Sequence, residues 1–304
     1  MKSAAWRHHP ERSNTLTIRF IVWVALSFGR GAARLLLPPI CLYFVLFSGR
    51  ARRESRRYLS RALGRNAGWV DLYRHFHCFA ATILDRVFLL NGRETLFDVQ
   101  VHGDPIVDAI LQDPRGCVFI GAHMGSFELL HMTARKQLRT RTWMVMYEDN
   151  ARKLNAVLKG INPELNPPVI ALGRIDSMLK IDEALTRGEH VGLLADRGLK
   201  DEKTIEMSFL GAPMAIPIGP FRLALILDRP VVLAFGLYLG GNRYEVFFQR
   251  LTAMADSAGL SRNQRVEAAA REYVAQLEQL CRQAPYNWFN FHDVWHEAST
   301  VRSH

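Results

Sequence analysis

Residues 117–128 read CVFIGAHMGSFE, and this stretch decides the fold. Its first five residues are almost all apolar and have the length of a buried strand. Gly125 then permits a sharp turn, and Ser126 is a favourable N-cap for a helix that would begin at Phe127. The stretch therefore predicts a strand, a tight turn and a helix in immediate succession.

The same succession recurs along the chain. Short apolar runs predict further strands at 143–147, 169–172, 191–195, 231–235 and 244–248. Helical patterns lie between most of them, over 127–138, 151–158, 175–186 and 220–227, and two more helices are predicted over 69–90 and 266–280. Alternating helices and near-continuously apolar strands are typical of an α/β fold with a mostly parallel central sheet, flanked by helices on both faces.

Composition and charge limit the class of protein. The chain has 304 residues, of which 49% are hydrophobic and 22% charged, as in a globular chain with a sizeable core. A mean hydropathy of −0.04 argues against a polytopic membrane protein. The net charge of +10 favours acidic partners, although an Arg-rich codon usage gives the same composition. The four cysteines are far apart and predict neither a disulfide framework nor a thiolate zinc site.

An apolar segment precedes this domain. Residues 18–48 read IRFIVWVALSFGRGAARLLLPPICLYFVLFS, and Arg30, Arg34 and the Pro38-Pro39 pair interrupt them. Neither apolar arm alone reaches the ~20 residues that a spanning helix needs. Three interpretations of this segment are open: a cleaved signal peptide, a single span over about 20–47, and an interfacial hairpin. No small-residue cleavage site follows cleanly, so the pattern favours an interfacial anchor or a short span.

A cluster of arginines follows the apolar segment. Between residues 50 and 65 there are seven arginines and one acid, Glu54. Such a cluster attracts anionic lipid headgroups with about 1 kcal/mol per cation, and it marks a cytoplasmic flank. The segment therefore predicts attachment to the inner (cytoplasmic) membrane, with the following domain on the cytoplasmic side. Nucleic acid is not a predicted partner, because no helix-turn-helix or aromatic-interleaved pattern accompanies the arginines.

His123 and Glu128 form the first candidate site. His123 lies at the carboxyl end of its strand, where α/β sheets bind ligands. Glu128 lies in the first turn of the next helix, whose positive end keeps a carboxylate ionised. Because a turn separates them, the two side chains can meet, and a carboxylate on one imidazole nitrogen leaves the other as a general base. A structural histidine gives the same local pattern.

The sequence gives weaker support to two other types of site, a hydrolase nucleophile and a metal site. Ser126 is not predicted to be a hydrolase nucleophile, because no Gly-x-Ser-x-Gly elbow occurs in the chain. His75, His77 and Cys78 share one helix, but no second ligand cluster accompanies them, so no metal site is predicted.

Several blocks resemble one family. The block GAHMGSFELL over 121–130 resembles the His-x4-Glu/Asp signature of the lysophospholipid acyltransferase superfamily, most closely its lipid A biosynthesis late acyltransferase branch. The blocks LGRIDSMLKIDEALTRGEHVGLLADRG (172–198) and FLGAPMAIPIGPFRLALILDRPVVLAF (209–235) resemble later blocks of that branch. The tail APYNWFNFHDVW (284–295) carries a family-like Pro285, Trp288 and His292. The resemblance runs from about residue 15 to 295.

Two positions depart from that branch. Asp196 is followed by Arg197-Gly198, where lipid A enzymes tend to have a Gln-Asp-like pair. The tail lacks their Trp-x-x-His-Arg-Arg pattern and is closer to a less-characterised sister group. These departures concern the acceptor and leave the acyltransferase class unchanged.

The resemblance implies a membrane-associated acyltransferase. It would move a fatty acyl chain from an acyl carrier protein or coenzyme A thioester to a hydroxyl of a lipid or glycolipid acceptor. No metal or organic cofactor is implied. Residues 1–66 would be the membrane anchor with its basic segment, and residues 67–304 the catalytic domain. A glycerophospholipid-type acyltransferase is the alternative enzyme, although its Phe-Pro-Glu-Gly-like block is absent, and a catalytically silent lipid-binding protein is the alternative class.

The resemblance also assigns roles to residues. His123 would be the general base, and Glu128 would orient it and stabilise its cation. The backbone N–H groups of Gly125 and Ser126, or the side chain of Arg174, would stabilise the oxyanion. Arg174 would alternatively hold a phosphate, and Asp196 would position the acceptor or Arg174. Structural roles are also open: a surface ion pair of Arg174 with Asp176 or Glu183, and a helix or turn cap at Asp196. Arg197, with the arginines of residues 50–65, would meet an acidic carrier protein or anionic headgroups.

Overall fold

The computed structural model describes residues 15–103, 105–130, 132, 140–147, 168–173, 176–198, 202–255 and 259–295. Within these ranges the helices are α1 Thr15–Arg34, α2 Leu37–Phe47, α3 Gly49–Leu63, α4 Trp69–Leu89, α5 Pro105–Leu111, α6 Ser177–Thr186, α7 Gly219–Leu227, α8 Thr252–Ala255 and α9 Arg262–Gln283. The strands are β1 Asp98–Gly103, β2 Val118–Gly121, β3 Thr142–Tyr147, β4 Val169–Leu172, β5 His190–Leu194, β6 Thr204–Phe209, β7 Ala212–Pro217, β8 Val231–Gly240 and β9 Arg243–Arg250.

The strands form the sheet that the sequence predicts. Seven of them lie in the order β1-β9-β8-β2-β5-β3-β4, and the pairs are parallel except for the β8–β9 hairpin. The α/β class with a mostly parallel, helix-flanked sheet is therefore confirmed. Each predicted strand is present: β4 has the predicted bounds, β8 extends five residues further, and the ends of the others shift by one or two residues. Strand β1 and the separate antiparallel hairpin β6–β7 were not predicted.

Helix predictions can be compared only in part. The helices predicted over 69–90, 175–186, 220–227 and 266–280 correspond to α4, α6, α7 and α9. Residues 127–130 and 132 are helical, as expected. The rest of the helix predicted over 127–138, and the whole of the one over 151–158, lie outside the described residues.

The N-terminal helices pack against the sheet domain. Arg30 of α1 forms a two-pronged ion pair with Asp85 of α4, with Nε–Oδ1 and Nη2–Oδ2 distances of 2.7 and 2.8 Å. The Asp85 side chain has no exposed surface, and the hydroxyl of Tyr244 in β9 donates to it at 2.8 Å. Buried side chains form one core that runs from Ala25 to Trp295. The predicted boundary at residue 66 therefore lies within continuous packing.

Among the described residues, no single helix is both long and apolar enough to cross a bilayer. The segments Val22–Arg34 and Leu37–Phe47 meet that condition only as a pair, and they are bent by 76° relative to each other.

Candidate active site

The register of the sheet brings His123 and Asp196 together. Strand β2 lies beside β5, and Gly121 pairs with Leu194. His123 and Asp196 each follow two residues after that pair, at the carboxyl ends of two neighbouring parallel strands. The two side chains therefore share one edge of the sheet, the edge at which α/β proteins bind their ligands.

A buried carboxylate holds the imidazole of His123. The Nδ1 atom of His123 lies 2.8 Å from Oδ1 of Asp196, and the backbone N–H of His123 donates to Oδ2 at 3.1 Å. The Asp196 side chain has no exposed surface, whereas 36% of the His123 side chain is exposed. With Nδ1 bound to the carboxylate, Nε2 is the ring nitrogen available to a reactant.

The protonation states follow from this setting. Burial lowers the pKa of His123 below its ordinary value of 6.5, the nearby cation of Arg197 lowers it further, and Asp196 opposes both. His123 is therefore neutral at neutral pH, which is the form a general base requires. Burial alone would raise the pKa of Asp196, but His123 and Arg197 outweigh it and hold that pKa well below the usual range, so Asp196 stays ionised.

Glu128 occupies a different place from the predicted one. It forms an ion pair with Arg86 of α4, with Nη2 and Oε1 2.5 Å apart, and its side chain is nearly buried. Among the described residues it makes no hydrogen bond to His123. The physical reason is that Nδ1 of the imidazole faces β5, where Asp196 lies, while α4 presents a cation to Glu128. The charge of Arg86 also lowers the pKa of His123, and Glu128 is the ion-pair partner of that cation.

The turn after His123 is built as the sequence suggests, but its N–H groups are partly engaged. Gly125 has φ 55°, and a Cβ at this position would lie 1.8 Å from the carbonyl oxygen of Gly236, so only glycine fits. Its N–H donates to the carbonyl of Asn287 at 2.9 Å and is therefore not free to stabilise an oxyanion. The hydroxyl of Ser126 accepts from the N–H of Leu129 at 3.3 Å, which is the predicted N-cap.

Arg197 lies at the site without a carboxylate bound to its guanidinium. Its Nη2 donates to the carbonyl of Phe289 at 2.5 Å, and its Nε is buried without a partner. Among the described residues no acidic side chain forms an ion pair with it. Burial lowers its pKa, and the charge of Asp196 opposes that shift. Arg174, which was predicted to bind an anion, lies outside the described residues.

Sequence reasoning gave no role to Trp288, which lies at the centre of the site. Its indole N–H donates to Oδ2 of Asp196 at 2.9 Å, and the residue is completely buried. The next residue, Phe289, donates its backbone N–H to the carbonyl of His123 at 2.8 Å. The aromatic run of the tail was the available signal, but nothing local in it indicates contact with residues about 90 positions earlier in the chain.

A small apolar cavity lies beside the end of β2. Its volume is about 20 Å³, which is close to the space of one water molecule. Gly121 and Gly192 contribute to the hollow because they have no side chains, and Phe127 and Leu130 close it from the helix that follows the turn.

Comparisons with known proteins bear on the class of this site. A family model described as bacterial lipid A biosynthesis acyltransferase matches residues 3–297. None of the curated proteins matches the chain. A similar solved structure is the 1-acyl-sn-glycerophosphate (LPA) acyltransferase, PlsC, from Thermotoga maritima. It has 13% identity and a TM-score of 0.37, and the match covers 81% of this chain and 96% of that chain.

Proposed function

Because the chain belongs to the bacterial lipid A biosynthesis acyltransferase family, and is therefore an acyltransferase, we propose a specific reaction for it. A fatty acyl chain moves from an acyl carrier protein or coenzyme A thioester to a hydroxyl of a lipid or glycolipid acceptor. The ester C–O bond forms, the C–S bond breaks, and the carrier leaves as a thiol. One observation supports this mechanism: the partly exposed imidazole of His123 is held through Nδ1 by a buried carboxylate.

His123 is the general base of this reaction. Its Nε2 takes the proton of the acceptor hydroxyl as the oxygen attacks the thioester carbonyl, and later returns it to the departing sulfur. Asp196 keeps the second proton on Nδ1 and stabilises the imidazolium that forms. Asp196 thus takes the orienting role that the sequence assigns to Glu128. Glu128 supports the same cation indirectly, by neutralising Arg86.

Attack on the thioester creates an oxyanion, which needs a positive partner. Arg197 is the candidate among the described residues, because its guanidinium is fixed to Phe289, which in turn bonds the backbone of His123. The N–H of Gly125 is already engaged, which favours a side-chain donor over that backbone group. Arg174 keeps its proposed role of holding a phosphate of the donor or acceptor.

The acceptor side of the reaction takes place at a membrane surface. Large apolar side chains of α1, α2 and the turn between them are exposed: Trp23, Phe28, Leu35, Leu42, Tyr43, Leu46 and Phe47. Exposed apolar surface beside a cationic helix is the pattern of an interfacial anchor on anionic lipid. This arrangement supports the inner membrane as the location, with the catalytic domain on the cytoplasmic side, and the α3 arginines as the contact for anionic headgroups or an acidic carrier.

Vesicle flotation tests the anchor. The protein should float with vesicles of phosphatidylcholine and phosphatidylglycerol, and the paired change Leu42→Ser and Phe47→Ser should abolish flotation. Leu260→Ser is the matched control, because Leu260 is also exposed but precedes α9, outside the anchor. Arg53→Gln with Arg56→Gln should weaken binding to anionic vesicles alone, by about fivefold per charge removed. Unchanged flotation of the Leu42/Phe47 variant would contradict the anchor.

Acyl transfer is tested with membranes that carry wild type, His123→Ala or the control His102→Ala. His102 is a partly exposed histidine of β1, outside the site. The membranes are incubated separately with labelled acyl carrier protein thioester and labelled coenzyme A thioester, and each lipid extract is read by mass spectrometry. A lipid should gain one acyl chain with wild type and His102→Ala but not with His123→Ala, and its mass names the acceptor. Equal signals from all three would refute the mechanism.

The same extract separates the alternatives. A lysophosphatidate that gains a chain would assign a glycerophospholipid-type activity. If wild type transfers nothing from either thioester but still retains lipid, the chain is a silent lipid-binding protein.

A further inference from the structure

We propose that Trp288 is a positioning residue for the acyl transfer, because its indole N–H fixes the carboxylate of Asp196 and thereby the ring of His123. The inference rests on the proposed role of His123 as the base. Trp288 does not touch the reacting atoms and acts only through Asp196.

The hydrogen bonds of Asp196 show how the ring is set. Oδ2 accepts two N–H groups, from the indole of Trp288 at 2.9 Å and from the backbone of His123 at 3.1 Å. Oδ1 is left for the imidazole, 2.8 Å away. Two donors on one oxygen hold the carboxylate against rotation about its Cβ–Cγ bond. Because this side chain has no exposed surface, water cannot replace a donor that is removed.

Trp288 is itself fixed on several sides. Its ring packs edge-on against Tyr58 of α3 and Phe209 of β6, with ring centroids 4.9 and 5.1 Å away. Its carbonyl lies 3.0 Å from Nε2 of His75, whose Nδ1 lies 2.7 Å from the hydroxyl of Ser55. These contacts hold the indole in the position from which it donates to Asp196.

The backbone of the segment around Trp288 also contacts His123, the partner of Asp196. Phe289 donates its N–H to the carbonyl of His123 at 2.8 Å, and Gly125 donates to the carbonyl of Asn287 at 2.9 Å. Residues 287–289 thus contact the carboxylate through a side chain and the histidine through the main chain. This one segment of the tail therefore supports both members of the pair that the register of β2 and β5 brings together.

Trp295 provides a matched control within the chain. It is also buried and also donates its indole N–H, but to the backbone carbonyl of Phe209 at 3.1 Å. Trp295→Phe therefore removes the same atoms from the same packed region without touching Asp196. If Trp288 were merely structural, the two variants would have similar kinetics.

The experiment measures kcat and KM with a long-chain acyl thioester of acyl carrier protein and native membranes as acceptor. For Trp288→Phe we expect kcat to fall roughly 10- to 100-fold, as the loss of a hydrogen bond to a charged group implies, with KM changed less than about twofold. Trp295→Phe should keep kcat within about twofold of wild type. Added to Asp196→Asn, Trp288→Phe should cost less than about twofold more, because it acts through that carboxylate.

The outcomes distinguish a failure of the positioning role of Trp288 from a failure of the proposed function. If Trp288→Phe and Trp295→Phe have equal kcat while His123→Ala is inactive, the positioning role is overturned and the proposed function stands. An active His123→Ala would overturn the proposed function and this inference with it. Near-UV circular dichroism confirms folding of each variant. Should Trp288→Phe fail to fold, benzothienylalanine at position 288 keeps the bicyclic shape and replaces the N–H donor with a sulfur atom, and the same fall in kcat is expected.

Discussion

Replacing Asp196 by Asn should reduce kcat by about a thousandfold while the protein remains folded. The substitution keeps the shape of the side chain and removes its charge. The amide oxygen can still accept the N–H groups of Trp288 and the His123 backbone. The amide NH₂ then faces Nδ1 of His123 and requires that nitrogen to be an acceptor. The ring proton moves to Nε2, which can no longer act as the base.

The magnitude follows from the contact. With Nδ1 and Oδ1 2.8 Å apart, the charges of imidazolium and carboxylate are centred about 4 Å apart. At an effective dielectric constant of about 20, their attraction is about 4 kcal/mol. Each 1.36 kcal/mol changes a rate tenfold, so the lost stabilisation of the imidazolium corresponds to about a thousandfold in kcat.

The assay is the initial rate of acyl transfer from acyl carrier protein thioester to native membrane lipid. Asp182→Asn is the control, because Asp182 is an exposed carboxylate of α6. Thermal unfolding monitors the fold of both variants. If Asp196→Asn retained kcat within about threefold of wild type while Glu128→Gln lost it, the orienting role would return to Glu128 and the reasoning would be refuted.

Three further outcomes follow from the same site. Glu128→Gln should lower kcat by about tenfold or more, and adding Arg86→Gln should restore most of it; a double variant as slow as the single one would mean that Glu128 acts on His123 directly. Arg197→Gln removes a cation that lowers the pKa of His123, so the acid limb of kcat/KM should move to higher pH, and an unmoved limb would contradict this. Burial lowers the pKa of His75 to about 4, whereas an unfolded histidine binds its proton below about 6.5, so the free energy of unfolding should fall as pH drops through this window. Urea unfolding of wild type and His75→Gln checks this, since the variant should show a smaller fall.

How far the sequence predicts the site depends on which contacts are local. The position of His123 follows from a single stretch, because strand, glycine turn and N-cap all lie within twelve residues. Asp196 is also recognisable as a residue at a strand end. The contact between Asp196 and His123 cannot be recognised in the sequence. It depends on β2 and β5 being neighbours in the sheet, although β3 and β4 lie between them in the chain. Local reasoning therefore chose Glu128, five residues away, over a carboxylate 73 residues away.

The strands that sequence reasoning missed have a different cause. Strand β1 is polar and mostly exposed along its length, so it shows no apolar run. The hairpin β6–β7 turns at Leu210 and Gly211, which both have positive φ. Leucine rarely adopts that conformation, so Leu210-Gly211 is not a typical hairpin-turn sequence. The N–H of Leu210 donates to Glu278 of α9 at 2.7 Å, a tertiary contact that helps hold this conformation.

The proposed reaction creates two charges from none, and the charged groups around His123 suit such a reaction. At rest the imidazole is neutral, and the surrounding groups balance, Asp196 against Arg197 and Glu128 against Arg86. Proton transfer makes an imidazolium, and attack on the thioester makes an oxyanion. In the proposed mechanism each new charge meets an opposite one already in place, so little reorganisation is needed as the barrier is crossed. The carboxylate is held by Trp288 and the guanidinium by Phe289, both from the tail. The preorganisation of this site therefore depends on two adjacent residues far from His123 in the chain.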